Sequence, residues 1–473
     1  MKKFIYIIAT VTLLLPALFS CNGWLDVEPS TQVKAETMFS TEEGFKSALD
    51  GIYVSLTDER MYGREMSFGF VDHIAWIYDV QGTRYREVVL YDYENMTVMP
   101  MINNMWLRAY NVIVNINMML GYIDGKKDVF REKEYYDIIK AEALAIRAYV
   151  HFDLLRLFGQ SPVTGMNSKS IPYITEFKKQ VTPQGTVAEV IEKALEDLTA
   201  AAALLRGTDP MVTGRQVTLN DDNGYLTNRS FRMNYYAVKA LIARIALYKG
   251  DQALASSAAK EVIESGRFSW VDPATFTRAE AEQDRIFARE LIFGLYISDM
   301  TNRVSRWFNW TNGESWNIPS MTSATRGATY ENDSYDFRSA RLFSVGLANQ
   351  AATTKYLQPY GMPDSLSSRL PMIRLSEMYY IAAETNLPDA TRYLDSVRIH
   401  RGMSGALPTS LTNEERQSEI HKEHLKEFHA EGQVFYYYKR KNMVPPRAPT
   451  PQDVRMVIPL PDAEIDFGKR EVL

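Results

Sequence analysis

Residues 134–158 are apolar nearly all the way round a helical wheel. Leu144, Ile146, Ala148, Tyr149, Val150, Phe152, Leu154, Leu155 and Leu157 leave no broad polar face. A helix of that kind belongs at the centre of a fold, covered by other helices. Gly159 stops it and Pro162 forbids its continuation. The covering helices are legible too. Thr41 is an N-cap before Glu42 and Glu43, and Phe45, Ala48, Leu49 and Ile52 follow at helical spacing. Trp106, Ala109, Tyr110, Ile113, Ile116, Asn117 and Leu120 trace one face of a second helix. Thr186-x-x-Glu189 is a capping box that opens a third, running through Val190, Ala194 and Leu198 to Leu205.

Further along, helices come in pairs. Residues 236–248 form one helix, Gly250-Asp251 the turn and residues 253–265 its partner, ended by Gly266. Ala237, Ala240, Ala243, Ala253 and Ala258 are small enough to let the two approach closely. The plan recurs with 375–384, the turn Leu387-Pro388-Asp389, and 390–400 followed by Gly402. Each pair would bury its face on the next, as tetratricopeptide pairs do, although the spacing of the copies is irregular. A last helix spans about 413–431 and ends at Gly432, before the Tyr-rich run Phe435-Tyr436-Tyr437-Tyr438 and a Pro-rich tail. Two stretches, about 53–100 and 268–370, break the helical pattern and read as loop with short strands. The expected fold is all-α: a tetratricopeptide-like scaffold of helix pairs with a loop-rich, irregular flank, one domain from 21 to 473.

Residues 1–20 read as an export signal. Lys2 and Lys3 precede an apolar run from Phe4 to Leu15, broken by Pro16 before it reaches the length of a membrane span. Leu-x-Ser-Cys at Leu18 to Cys21 resembles a bacterial lipobox, whose cysteine is acylated. Cys21 is the sole cysteine of the chain. The alternative is an ordinary signal peptide with an incidental cysteine, and a lone cysteine at this spot favours the lipoprotein. Two or more acyl chains would hold the protein firmly on a membrane. Loss of the leader takes Lys2 and Lys3 with it and moves the net charge from −5 to −7. An acidic exported protein is a poor partner for nucleic acid. With Cys21 acylated no disulfide can form, so stability has to come from burial.

Residues able to do chemistry are sparse. His421-x-x-His424 offers two imidazoles one helical turn apart, but a catalytic zinc site commonly has three protein ligands, and a solvated helical face is the preferred account. The run 220–224 lacks the alternating acids of a calcium loop and reads as a polar turn. No Gly-x-Ser-x-Gly elbow or Gly-rich phosphate loop is present. Neither metal nor cofactor is expected. Binding has better candidates, for the chain carries 28 Tyr, 21 Phe and 7 Trp. Sugar rings lie flat on Trp and Tyr while their hydroxyls seek Asn, Asp and Arg. Trp307, Asn309, Trp310 and Trp316 stand in one irregular stretch with Arg306, Asn312 and Asn317; Trp76, Tyr78 and Tyr85 stand in the other with Asp72, Asp79 and Arg84. These two sets are the candidate ligand platform. Trp106, Tyr110, Tyr149, Phe152 and Tyr248 keep helical spacing and read as core. Arg147, Asp153, Arg156 and Glu377, on apolar helices, read as buried ion pairs that fix register.

The order of several short motifs resembles the SusD/RagB family of Bacteroidetes nutrient-uptake lipoproteins. They are Cys21 with Leu25-Asp26-Val27-x-Pro29; Trp106-x-x-x-Tyr110 with Asn117; Glu142-Ala143-x-x-x-Arg147-Ala148-Tyr149-x-His151-Phe152-Asp153; and Ala243-Arg244 with Gly250-Asp251. Asp336-x-Arg338, Arg374-Leu375-Ser376-Glu377, Val397-Arg398, Glu427-Phe428-x-x-Glu431-Gly432 and Ile458-Pro459-Leu460-Pro461 follow. The chain departs from the family where Glu423-His424 replaces Glu-Arg, and where Val434 and Tyr437 replace Arg and Asp. The resemblance implies a helical protein lipid-anchored at the outer membrane and facing the cell exterior. It would act as a lid on a TonB-dependent transporter of the SusC type. It would bind an oligosaccharide or a peptide through loops that correspond to the two irregular stretches, and would make or break no bond. The rival expectations are a surface-anchored hydrolase and a tetratricopeptide-type interaction scaffold with no ligand of its own.

Overall fold

The computed structural model describes residues 30–79, 83–308, 318–346 and 349–471. The leader, Cys21, Asn309, Trp310 and Trp316 lie outside the described residues. Eleven helices matter here: α1 (Glu42–Leu56), α2 (Met99–Ile123), α3 (Lys133–Phe158), α4 (Val187–Leu205), α5 (Tyr235–Lys249), α6 (Gln252–Glu264), α7 (Met300–Phe308), α8 (Leu375–Thr385), α9 (Ala390–Ile399), α10 (Asn413–Glu427) and α11 (Gln433–Arg440). The all-round apolar segment is α3, buried without a break from Ala141 to Phe158. It packs between α2 and α4; α4 packs on α5, α5 on α6, α6 on α8, α8 on α9 and α10, and α10 on α11. The result is a stack in which each helical hairpin covers the next. Local sequence explains the ends. Thr41 accepts the Gly44 amide at the start of α1, and Thr186 with Glu189 closes a reciprocal capping box on α4. Gly250, at φ +91°, supplies the left-handed residue that turns α5 into α6. Among the described residues no helix is long and apolar enough to cross a membrane.

The flank is built from short strands. β1 (Leu291–Tyr296) pairs antiparallel with β5 (Arg369–Arg374), and β2 (Met321–Thr322), β4 (Gln350–Thr353) and β3 (Phe343–Val345) form a second small sheet in that order. Three expectations need correction. Among the described residues, 53–100 holds no strand: α1 continues to Leu56, then come turns and a five-residue helix, Phe70–Ile74. Helix α10 stops at Glu427, and Ala430 (φ +62°) and Gly432 (φ +72°) bend the chain so that the Tyr-rich run becomes helix α11. The His421–His424 turn is not a solvated face, because Glu423 and His424 are buried.

That last correction has an electrostatic cause. Five cations meet five carboxylates beneath α10. Arg338 reaches Asp336, Glu423 and Glu427 at 2.8–2.9 Å; Arg374 is held by Glu427 and by Glu431 at 2.9 Å; Arg401 bonds Glu290 and Glu427, both at 2.6 Å. Lys355 reaches Glu431 at 2.6 Å and Lys426 reaches Glu423 at 3.1 Å. Buried charges persist when paired and hydrogen-bonded in this way. The motif residues of the last third of the chain thus meet in one network tying the strand flank to the stack. A smaller set ties α3 to its neighbours. Arg147 grips Asp197 (2.6 Å), Arg156 bonds Asp153, and Arg244 forks onto Glu377 (2.6 Å), so the charges on the apolar helices are indeed buried pairs.

Candidate ligand-binding site

The two irregular stretches meet. The Asp79 amide donates to the Ser320 carbonyl at 2.8 Å, and the Asp79 carboxylate accepts the Thr322 amide at 2.6 Å. The Tyr85 and Trp307 rings lie 6.3 Å apart, and the Arg64 guanidinium sits 4.8 Å over the Trp307 ring. Trp307 ends α7, an amphipathic helix that buries Met300, Val304 and Phe308 and leaves the indole half-buried. Its Nε1 has no hydrogen-bond partner among the described residues.

The other named aromatics divide. Tyr78 and Tyr85 are fully buried and offer no open ring face, which corrects their assignment to the platform. Tyr85 stacks on His73 at 3.8 Å and donates to Glu65 at 3.0 Å; Tyr78 donates to the Phe68 carbonyl at 3.3 Å. Burial pushes both phenols well above their ordinary range, so they stay neutral donors. They wedge the 60–90 segment in place. Trp76 is half-buried at φ +55°, its Nε1 donating to the Val89 carbonyl at 3.2 Å, so its indole is fixed rather than swinging. The structure therefore brings Trp307 and Tyr85 together and leaves Trp76 anchored nearby in the same segment.

A cleft of about 150 Å³, linked to Trp307 through Arg64 and Glu65, is lined by Arg60, Glu65, Arg84, Thr97, Met101 and Asn104. Glu65 is its hub: buried, it takes Arg64 at 2.9 Å, Arg84 at 2.8 Å and the Tyr85 hydroxyl. Glu59 bonds Arg64 and Arg306, and Asp58 bonds Arg60 at 2.6 Å. The hydrogen-bonded Arg60 guanidinium holds the Asp58 carboxyl below its usual range. Sequence reasoning singled out Arg84 and Arg306 as neighbours of aromatics but missed Arg60, Arg64 and Glu65. The density of arginine within 60–86 was the signal available.

A polar turn elsewhere gathers Glu42, Glu43 and Asp222, but the Lys46 ammonium already sits among them, 2.6 Å from Glu42 and bonded to Asp222. The histidines are no better placed for catalysis. Burial pushes His151 and His429 down to about 3 and His424 to about 4, so all three are neutral core groups.

Comparison with known proteins gives the architecture its relatives. A sequence model of SusD-like proteins, described as starch-binding and associating with the outer membrane, matches residues 23–213. SusD-like protein P25 of Formosa agariphila is 30% identical over 153 residues, 30% of this chain and 28% of the relative. SusD-like protein P2 of the same organism is 28% identical over 210 residues, 44% of this chain and 39% of the relative. The matched stretches thus span less than half the length of these curated relatives. Solved structures match far more of the chain. A SusD superfamily protein from Bacteroides thetaiotaomicron superposes with a TM-score of 0.72 at 24% identity, covering 91% of this chain and 99% of that one. A SusD-like carbohydrate-binding protein from Bacteroides vulgatus gives 0.66 at 16% identity, covering 85% and 84%. Residues 23–213 thus resemble the SusD-like family, and the body as a whole shares the fold of these solved structures.

Proposed function

We propose that this protein captures glycans at the outer membrane and hands them to a partner TonB-dependent transporter of the SusC type. In this reading Cys21 carries the lipid anchor and the body faces the cell exterior. The observation that carries it is a cleft where amide, hydroxyl and guanidinium side chains converge on a rigid scaffold, linked to the half-buried Trp307 indole through Arg64 and Glu65. Sugar sites combine just these elements. The family description names starch, and one structural neighbour is described as carbohydrate-binding. Trp76, Trp307, Asn309, Trp310 and Trp316 are the proposed contacts, and Tyr85 lies 6.3 Å from the Trp307 ring.

No bond is made or broken in this reading. A glycosidase needs one carboxyl kept protonated as general acid. Asp58, Glu59 and Glu65 beside the cleft are each engaged by arginine instead. Affinity gels and calorimetry against glycan panels test the proposal. Trp307→Ala should weaken binding by about 1–3 kcal/mol, the range for loss of one flat aromatic contact. Unchanged affinity in the Trp307→Ala protein would move the site elsewhere, and release of reducing ends on long incubation would favour the hydrolase.

A further inference from the structure

The charge around the cleft points to the class of glycan, and we propose that it is an acidic oligosaccharide whose carboxylate or sulfate groups are met by Arg60 and Arg84. The inference rests on the glycan-capture reading and goes beyond it. The chain as a whole is acidic, with a net charge of −5. Along the cleft and the Trp307 face the sign reverses. Arg60, Arg64, Arg84, Arg108, Arg303 and Arg306 are gathered there against three carboxylates. Each carboxylate is shared by two arginines: Asp58 by Arg60 and Arg108 (3.7 Å), Glu59 by Arg64 and Arg306 (2.8 Å), Glu65 by Arg64 and Arg84 (2.8 Å). Among the described residues Arg303 has no carboxylate partner; it donates to the Thr57 carbonyl. Within this set of ion pairs, six guanidinium groups are served by three carboxylates.

The excess is also accessible. The Arg60 and Arg84 side chains remain 40% and 39% exposed while lining the cleft. Arg60 spends Nε and Nη2 on Asp58, and Arg84 places Nη2 on Glu65, so each guanidinium keeps an edge for a further acceptor. The carboxylates behind them hold both forks in fixed orientation, which favours two-point recognition of a planar carboxylate or a sulfate. Asn104 and Thr97 in the same cleft are uncharged partners for hydroxyls. Those neutral groups favour an acidic saccharide over an acidic peptide. Starch, the polymer in the family description, is neutral, so this chain would differ from that description in its cargo.

The test is affinity electrophoresis of the mature protein through gels containing polygalacturonate, alginate, heparin or carrageenan, beside starch, xylan and mixed-linkage β-glucan. We expect retardation by at least one acidic polymer and by none of the neutral ones. Affinity should fall at least ~10-fold in the Arg60→Gln/Arg84→Gln double variant, and severalfold as NaCl rises to about 0.5 M, because these exposed contacts are screened. Both positions are exposed, and an unaltered melting curve would verify that the variant folds. Retardation by neutral polymers only, or by acidic ones with no response to the double variant, would overturn this inference and leave glycan capture standing. Capture of poly-glutamate in place of any saccharide would also overturn it. Silence across all seven polymers from folded protein would remove glycan capture itself.

Discussion

At Gly432 the backbone has φ +72°, and a Cβ built there would stand 2.9 Å from Ser67 Cα and 3.0 Å from the Met66 carbonyl oxygen. The Gly432 amide also donates to the buried Asp72 at 2.9 Å. Gly432→Ala combines a disfavoured conformation with a backbone clash, so it should cost about 2 kcal/mol or more in urea unfolding. Tyr85→Phe should cost about 1–3 kcal/mol, since it removes one donor from the buried Glu65 carboxylate. The two variants separate what the sequence shows at this scale from what it hides. Clustered aromatics in 76–85 were visible as a type, but which of them face inward was not. Tyr78 and Tyr85 lie only two and nine residues beyond Trp76, and it is partners distant in sequence, such as His429 against Tyr78 at 5.4 Å, that decide their burial.

Helices were the most legible elements, because caps and apolar spacing are local. Thr186→Ala should therefore act locally, lowering stability by about 1 kcal/mol through loss of the capping box on α4, readable as a shift in urea midpoint. Helix α10 shows the limit. Its sequence, NEERQSEIHKEHLKE, reads as solvated, yet Glu423, His424, Lys426 and Glu427 are buried. A charged side chain can go inside when its counter-ion arrives from elsewhere, and Arg338, Arg374 and Arg401 come from segments far upstream. Helix α11 escaped notice for a related reason. Its three consecutive tyrosines have no helical periodicity, and the left-handed Gly432 starts it from a turn rather than from a capping side chain.

Across the whole molecule, buried ionisable groups set how it should respond to acid. His151, His424 and His429 are held neutral with folded values of about 3–4, against about 6.5 when unfolded. Burial dominates each. Arg147 and Lys193 press His151 down further, as Lys355 and Arg447 do His429 and Arg440 and His421 do His424, where Glu384 works the other way. Because the unfolded chain binds these protons first, stability present above pH 6.5 is lost as pH falls from there toward 4. The loss is up to about 1.4 kcal/mol per unit for each histidine. Glu384 and Glu423, held at about 2 by their arginine and lysine partners against the pull of burial, add a second loss below pH 4.5. Urea midpoints at pH 7.5, 6 and 5 should fall in that order; a flat series would contradict the burial of these rings. Arg401→Met, which removes both short bonds to Glu290 and one of the three arginines on Glu427, should cost about 3–5 kcal/mol by the same measurement.

The charge cluster beneath α10 also has a mechanical side. Glu431 belongs to it, Gly432 next door holds the 64–72 turn, and His429 touches Tyr78, so the cleft wall is riveted to the same block that clamps strands to helices. Force applied at the 64–72 turn would pass through Gly432 and Glu431 into the charge cluster. A pull on that turn would thus be shared by the strands and by the helix stack alike.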